Sequence, residues 1–295
     1  MTNIFEMPLQ AVAGQLLIGL INGSFYALLS LGLAIIFGLL KVINFAHGSL
    51  YMLGALFAYL LLNWLGIGFW PALIIAPCLV GAFALLIERL LLRHIYGLDH
   101  LYGLLLTFGL ALVIEGGLRE VFGSAGLPYA VPAALTGVWD TGYAIVPKFR
   151  GFVVIASLTT CIAVWLLIER TKLGSILRAS TDNPLLVQAF GINVPVLLSV
   201  TYMLGASLAG LAGVLAAPIY QVSPLMGTNI IIIVFAVVVA GGMGSIAGSI
   251  VTGYGLGVLE ALTKLVYSPA SNIVIFVVMA VVLLVRPAGL FGREE

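Results

Sequence analysis

Residues 169–194 read ERTKLGSILRASTDNPLLVQAFGINV, a polar stretch set between two apolar runs, GFVVIASLTTCIAVWLLI (151–168) and VPVLLSVTYMLGASLAGLAGVLAA (194–217). Neither flank carries a charged residue. Each has the roughly 18 or more apolar residues that a hydrocarbon-crossing helix needs. The polar stretch is too long for a simple turn, and it has helical grammar of its own. Leu173, Ile176, Leu177 and Ser180 fall on one helical face, with Arg178 on the other side. Asp182 and Asn183 suit an N-cap, and Pro184 suits a first helical turn, where its missing N–H has no partner to lose. Gly191 then supplies a left-handed C-cap after a short helix over 185–190. Two spans joined by a loop of two short surface helices are therefore expected.

The rest of the chain repeats the apolar half of that pattern. Hydrophobic residues make up 62% of 295 positions and charged residues 8%, with a mean hydropathy of +1.23. A soluble domain carries about 25% charged residues, so too little charge is present to cover a water-facing surface. The fold class is all-α, a polytopic helical membrane protein forming a single transmembrane domain over 1–295. Apolar windows place spans at 45–64, 70–92, 101–119, 151–168, 194–217, 229–243, 246–265 and 271–286. The first stretch, 9–40, reads as a helix followed by a broken or re-entrant piece, interrupted at Asn22-Gly23-Ser24. Eight or nine spans result. The opening MTNIFEMPLQ lacks a basic signal-peptide segment, so the first helix is expected to remain in the membrane.

Alternating the spans puts Lys41, Arg89, Arg93, Arg170, Lys172, Arg178, Arg286 and Arg293 on one side, and Arg119, Lys148, Arg150 and Lys264 on the other. The richer side is cytoplasmic by the positive-inside rule. The 169–194 loop and the C-terminus are then cytosolic, and the Gly- and Pro-rich loop 120–150 is an external, partly ordered cap. A net charge of +1 points to no nucleic-acid partner. Cys78 and Cys161 lie inside spans without metal-ligand spacing and read as small apolar side chains. A weak echo between HGSLYMLGALFAYL near Gly48 and AGSIVTGYGLGVLEAL near Gly248 fits an internal duplication.

Several stretches carry a family resemblance. Arg178-Ala179, Asp182-Asn183-Pro184 and Ala189-Phe190-Gly191-Ile192 resemble the ATPase-docking loop of ABC importer permeases, closest to the branched-chain amino-acid permeases of the LivH/LivM family. Matching stretches are Asn22-Gly23-Ser24-Phe25-Tyr26-Ala27, Val42-Ile43-Asn44-Phe45-Ala46-His47-Gly48, Gly241-Gly242-Met243-Gly244-Ser245 and Arg286-Pro287-Ala288-Gly289-Leu290-Phe291-Gly292. The Asn-Phe-Ala-His-Gly stretch is LivH-like. The resemblance implies docking of ATPases through Arg178, Ala179, Asp182, Asn183, Pro184, Ala189 and Gly191. It also implies a homologous permease partner, two ATPase subunits and an external solute-binding protein, in the cytoplasmic membrane. The chain has no GxxxxGK[ST] phosphate loop. ATP and Mg would therefore be bound by the partner subunits, and no cofactor or enzymatic activity is expected in this chain.

Polar groups in spans are costly and nominate a pathway. The candidates are Asn22, Gly23, Asn44, His47, Glu115, Gly242, Gly244 and Glu260, with Thr107 as a further polar span residue. Plainer roles stand beside them. Glu115 is spaced for an i,i+4 ion pair with Arg119, and Glu260 for one with Lys264. His47 could cap a helix break. Gly19/Gly23, Gly244/Gly248 and Gly253/Gly257 are small-xxx-small pairs suited to close helix packing. Three glycines in the four positions 241–244 predict a backbone break. Trp64, Phe69, Trp70 and Tyr267 read as interfacial anchors. The reading is an ABC importer permease for branched-chain or related apolar amino acids. The alternatives are a same-family permease for urea, short amides or polar amino acids, and an ion-coupled secondary carrier that would use Glu115 and Glu260.

Overall fold

The computed structural model describes residues 9–140 and 145–292. Arg293, counted above among the cytoplasmic cations, lies outside the described residues, as do the first eight positions and 141–144 of the loop read as an external cap. In chain order the helices are α1 (Leu9–Leu40), α2 (His47–Leu65), α3 (Phe69–Leu90), α4 (His100–Phe122), α5 (Lys148–Arg170), α6 (Lys172–Asp182), α7 (Pro184–Ala189), α8 (Val194–Tyr220), α9 (Met226–Gly241), α10 (Ile246–Val266) and α11 (Ser271–Val285). Among the described residues eight helical segments are long and apolar enough to cross a membrane, the last being α11 together with the short turn Ser268–Ala270 before it. The ninth apolar helix, α9, has 16 residues. At 1.5 Å per residue it reaches about 24 Å, short of the roughly 30 Å hydrocarbon layer. Within the loop read as a cap, strand β1 (Val138–Asp140) pairs antiparallel with β2 (Ile145–Pro147).

Two sequence expectations about glycine come out oppositely. The break at 241–245 is present: α9 stops at Gly241, and Gly242 and Gly244 take φ of 105° and 86°. Ser245 then caps α10 by accepting from the Gly248 N–H at 3.1 Å. Gly244 thus belongs to the turn and not to a packing pair. The break at Asn22-Gly23-Ser24 is absent, since α1 is one helix of 32 residues. The reason lies in its surroundings, described next.

Contacts divide the chain into two compact units, one of 1–30, 131–162 and 233–295, the other of 31–130 and 163–232. In the first unit, α1 and α10 cross along glycine. A Cβ on Gly19 would stand 2.8 Å from the Val258 Cα, one on Gly23 2.9 Å from the Tyr254 Cα, and one on Gly257 2.4 Å from the Gly23 N. Gly253 meets the Ala27 backbone in the same way, at 2.6 Å. Inside lipid no hydrophobic force draws helices together, so close backbone approach supplies van der Waals contact that side chains would prevent. Gly23 is therefore a packing residue and the intrahelical ladder runs through it unbroken. Hydroxyl bonds reinforce the crossing: the Ser157 hydroxyl donates to the Ser24 carbonyl at 3.0 Å, and the Tyr254 hydroxyl to the Ser157 Oγ at 2.9 Å.

The same unit holds the α9–α10 break. Carbonyls at the end of a helix have no intrahelical partner and must find one if no water is near. Here the Leu290 N–H donates to the Ala240 carbonyl at 2.9 Å and the Phe291 N–H to the Gly241 carbonyl at 3.1 Å. Gly289, at φ 83°, lets the C-terminal segment lie against Gly242; a Cβ there would be 2.5 Å from the Gly242 Cα.

In the second unit α8 packs along α2 and α3. Again backbones meet closely: a Cβ on Gly54 would lie 2.2 Å from the Gly210 carbonyl oxygen. Tyr202, Leu50, Met52 and Leu215 are fully buried in this unit. Leu127 and Val222 join the loops after α4 and α8 through reciprocal N–H···O bonds of 2.7 and 3.0 Å. Phe69 is buried against Trp70 in an edge-on ring contact, so of the aromatics read as anchors it is a packing residue.

The glycine seam makes a direct prediction. Gly257→Leu should lower stability by at least ~2 kcal/mol, because the clash is with backbone that cannot rotate away. Gly255→Leu, on the same helix but with nothing within 4 Å, should be tolerated. Thermal unfolding of the two detergent-purified variants checks this; equal midpoints would remove the seam from the account.

Candidate functional site

The 169–194 stretch forms the helix pair α6–α7 with the caps its residues imply. The Asn183 side chain accepts from the Leu186 N–H at 3.0 Å, with Pro184 at the first helical position. Gly191 sits at φ 82° just past α7. Arg178 is turned inward along the chain. Its Nη1 donates to the Ile168 carbonyl at 3.1 Å and faces the Glu169 carboxylate at 3.4 Å. A guanidinium satisfies a terminal carbonyl of α5 in this way and complements its dipole. Gly174 presses on the same carbonyl so closely that no side chain would fit. Arg178 thus fixes the angle at which α6 leaves α5.

The surface of the pair is carried by other residues. Ala179, Asp182, Asn183, Pro184, Ala189 and Gly191 are all exposed. Around them stand Leu185 and Phe190, each 77% exposed, and Leu186 at 55%. Three large apolar side chains on so short a segment form a patch that the sequence reading did not select. The signal was present in the spacing: Val187 alone turns inward, so its neighbours must turn out. Leu173, expected on the covered face, is exposed instead, because Gly174 and Ser180 occupy that face.

The polar pathway candidates separate by unit. In the second unit, Asn44, His47 and Thr107 gather at the turn between α1 and α2. Thr107 donates to the Ile43 carbonyl at 3.0 Å and accepts from the Phe45 N–H at 3.1 Å. Asn44 donates through Nδ2 to the Tyr202 hydroxyl at 3.1 Å, and its Oδ1 is buried with no hydrogen-bond partner among the described residues. His47, fully buried, opens α2 with its imidazole against Gly32. Glu115 makes the expected ion pair with Arg119, at 2.9 Å, and also accepts from the Thr228 hydroxyl.

In the first unit, Asn22 and Gly23 lie within unbroken α1, and Gly242 and Gly244 form the α9–α10 turn. Glu260 departs from expectation. Among the described residues it makes no ion pair with Lys264; its Oε2 accepts from the Tyr26 hydroxyl at 2.7 Å.

One buried carboxylate escaped the sequence reading. Glu88, 1% exposed in the last turn of α3, accepts from the Tyr96 hydroxyl at 2.8 Å and from the Ser199 hydroxyl at 2.6 Å. Its four-residue spacing from Ala76, Val80 and Ala84, all buried, marks it as inward-facing. Burial, and then the bond to Glu88, push the Tyr96 hydroxyl above its ordinary pKa, so Tyr96 keeps its proton to donate. Among the described residues no His, Cys, Asp or Glu cluster could hold a metal ion.

A family model described as "branched-chain amino acid transport system / permease component" matches residues 15–283. The chain belongs to this family. It is 29% identical to the high-affinity branched-chain amino acid transport system permease protein LivH of Escherichia coli K12, over 95% of this chain and 96% of that one. It is 30% identical to BraD, the corresponding permease protein of Pseudomonas aeruginosa, with the same coverage. It is 29% identical to a probable branched-chain amino acid transport permease protein LivH of Methanocaldococcus jannaschii, over 93% of this chain and 91% of that one. No solved structure matches. With its eight long apolar helices, this permease-family chain is a multi-pass membrane protein, and its family is one of transport components and not of enzymes. Two of the family-like stretches meet in space: the 286–292 segment clasps the 241–245 turn.

Arg178→Ala should free α6 from the end of α5. The bond is charge-assisted but the side chain is about two-fifths exposed, so a loss of about 1 kcal/mol is expected. Hydrogen–deuterium exchange over 172–189 should then quicken about fivefold. Unchanged exchange would show that Arg178 does not position the helix.

Proposed function

We propose that the chain is the membrane permease of an ABC importer for branched-chain or related apolar amino acids. It pairs with a homologous permease, two ATPases dock on the 169–194 loops of the pair, and an external binding protein delivers the solute. ATP and Mg are bound by the ATPases. With α9 counted as a crossing, as in the sequence reading, the lysine and arginine asymmetry puts α6–α7 and the C-terminus in the cytosol.

The observation that carries the docking role is the patch of Leu185, Leu186 and Phe190, exposed on a segment held rigid by Asn183 and Gly191. An apolar patch rimmed by polar residues marks a protein or membrane contact, and this one is read as the protein contact. Arg178 and Gly174 give it mechanical value. A push on α7 passes through α6, whose end is locked to the carbonyl of Ile168, and so reaches α5 without a slack joint. Closure of the motors would in this way tilt the bundle and alternate access, with no chemistry in this chain.

The ion-coupled reading relied on Glu115 and Glu260. Their carboxylates are taken up by Arg119 and Thr228 in one case and by Tyr26 in the other, which supports a packing role for both. Urea, amides and polar amino acids remain the alternative within the family, and uptake competition with labelled leucine separates them.

The deciding experiment is a mild-detergent pull-down of the tagged chain from native membranes. ATPase subunits should co-purify with the wild type and fall about tenfold or more with Phe190→Asp, since a charge placed in an apolar interface core costs more than 1.4 kcal/mol. Retained ATPase with Phe190→Asp would place docking elsewhere. Gly191→Val, which forces a β-branched residue to positive φ, should leave insertion intact but uncouple ATP hydrolysis from uptake in proteoliposomes. Normal uptake by that variant would refute the role given to the cap.

A further inference from the structure

A cavity of about 310 Å³ opens in the second unit, bounded by the end of α1, the start of α4 and the α6–α7 pair. Its walls are mixed, with an aliphatic side that includes Val42, Leu98, Val194 and Leu198 and a polar side that includes His100, Ser180 and Thr181. Two opposite charges, Lys41 and Asp99, stand among them. Neither makes an ion pair with the other or with any other described residue. Two unlike charges that line one cavity without meeting leave a gap that a ligand carrying both charges can bridge.

Lys41 is an unusual residue for its place. It follows α1 with φ 51°, its N–H bonded to the Phe37 carbonyl at 2.9 Å. That left-handed position is ordinarily taken by glycine or asparagine. Strained backbone at a cavity rim directs attention to what the side chain does there. Asp99 has a second duty, capping α4 by accepting from the Leu101 N–H at 2.8 Å through Oδ1. That bond holds Oδ1 and leaves Oδ2 without a hydrogen bond among the described residues.

We propose that this cavity binds a free α-amino acid with an aliphatic side chain. The α-carboxylate pairs with Lys41, the α-ammonium with Asp99, and the side chain lies on the Val42, Leu98 and Leu198 wall. The volume is at the small end of ligand pockets, roughly 300–1,000 Å³, which suits one amino acid and excludes a nucleotide. Tyr96, also on the wall, donates its hydroxyl to the buried Glu88. Ser180, Thr181 and Pro184 bring α6 and α7 into the same wall. An occupied cavity therefore ties the docking helices to the ends of α1 and α4 and resists their movement. The site is a product sensor: imported amino acid that accumulates beside the docking helices slows further import. The sensing role rests on the docking function proposed above; the binding does not.

The test uses the full chain in nanodiscs of phosphatidylglycerol, which supplies no zwitterionic headgroup. Calorimetric titration with L-leucine should give saturable binding. Asp99→Asn and Lys41→Gln should each weaken it about tenfold or more, as loss of a charge-assisted contact implies. Asparagine caps as well as aspartate, so Asp99→Asn separates charge from folding. N-acetyl-leucine, which lacks the ammonium, should fail to bind. Leucine binding unchanged in both variants would overturn the site. So would leucine binding abolished by phosphatidylethanolamine nanodiscs, which would assign the cavity to a lipid headgroup. In proteoliposomes holding the full transporter, leucine on the docking side should inhibit ATP hydrolysis in the wild type and not in Asp99→Asn. Binding without inhibition would overturn the sensing role alone, and failure of the ATPases to assemble would be read from the pull-down, apart from either result.

Discussion

Backbone against backbone is the contact on which the structure rests. In water, apolar side chains gain by leaving the solvent; in lipid that gain vanishes, and what remains is dispersion at short range. The chain meets this constraint by removing side chains where helices cross. Gly19 and Gly23 of α1 face Gly257 and Gly253 of α10, and Gly54 of α2 faces Gly210 of α8. Each bare patch brings carbonyls and Cα atoms into direct touch. Hydroxyls of Ser24, Ser157 and Tyr254 then add bonds that only such proximity permits.

The same scarcity of water governs the polar groups. Carboxylates within or near the helices are answered by hydroxyls in preference to cations: Glu260 by Tyr26, Glu88 by Tyr96 and Ser199. A hydroxyl satisfies an oxygen without bringing a second charge to be desolvated. Glu115 and Glu169 have an arginine instead, and both arginines are partly exposed. The irregular turn from Lys41 to His47 is likewise stitched by neutral groups, Thr107 and Tyr202.

What was legible in the sequence was whatever is decided over a few residues. Asn183, Pro184 and Gly191 announced a short capped helix, and three glycines in a row of four announced a break after Gly241. The span limits followed from hydropathy alone to within a few positions. Distant partners decided the rest. Asn22-Gly23-Ser24 has the same local composition as a break, yet it is helical because Tyr254 lies against Gly23. Glu260 has Lys264 four residues on, but Tyr26 reaches it from another helix. For the candidate docking site, the caps were visible and the exposed Leu185, Leu186 and Phe190 were not, since their exposure depends on Val187 taking the inner face of α7.

The clasp of Leu290 and Phe291 on the carbonyls of Ala240 and Gly241 sets an order on biogenesis. During synthesis the turn after α9 leaves the ribosome well before the segment that satisfies it. Two helices, α10 and α11, must be threaded into the bilayer in the interval. Until then the turn is an open wound in the backbone, held by the translocon or by water. The turn is sealed only once residues 290 and 291 have reached it, two helices later in the chain.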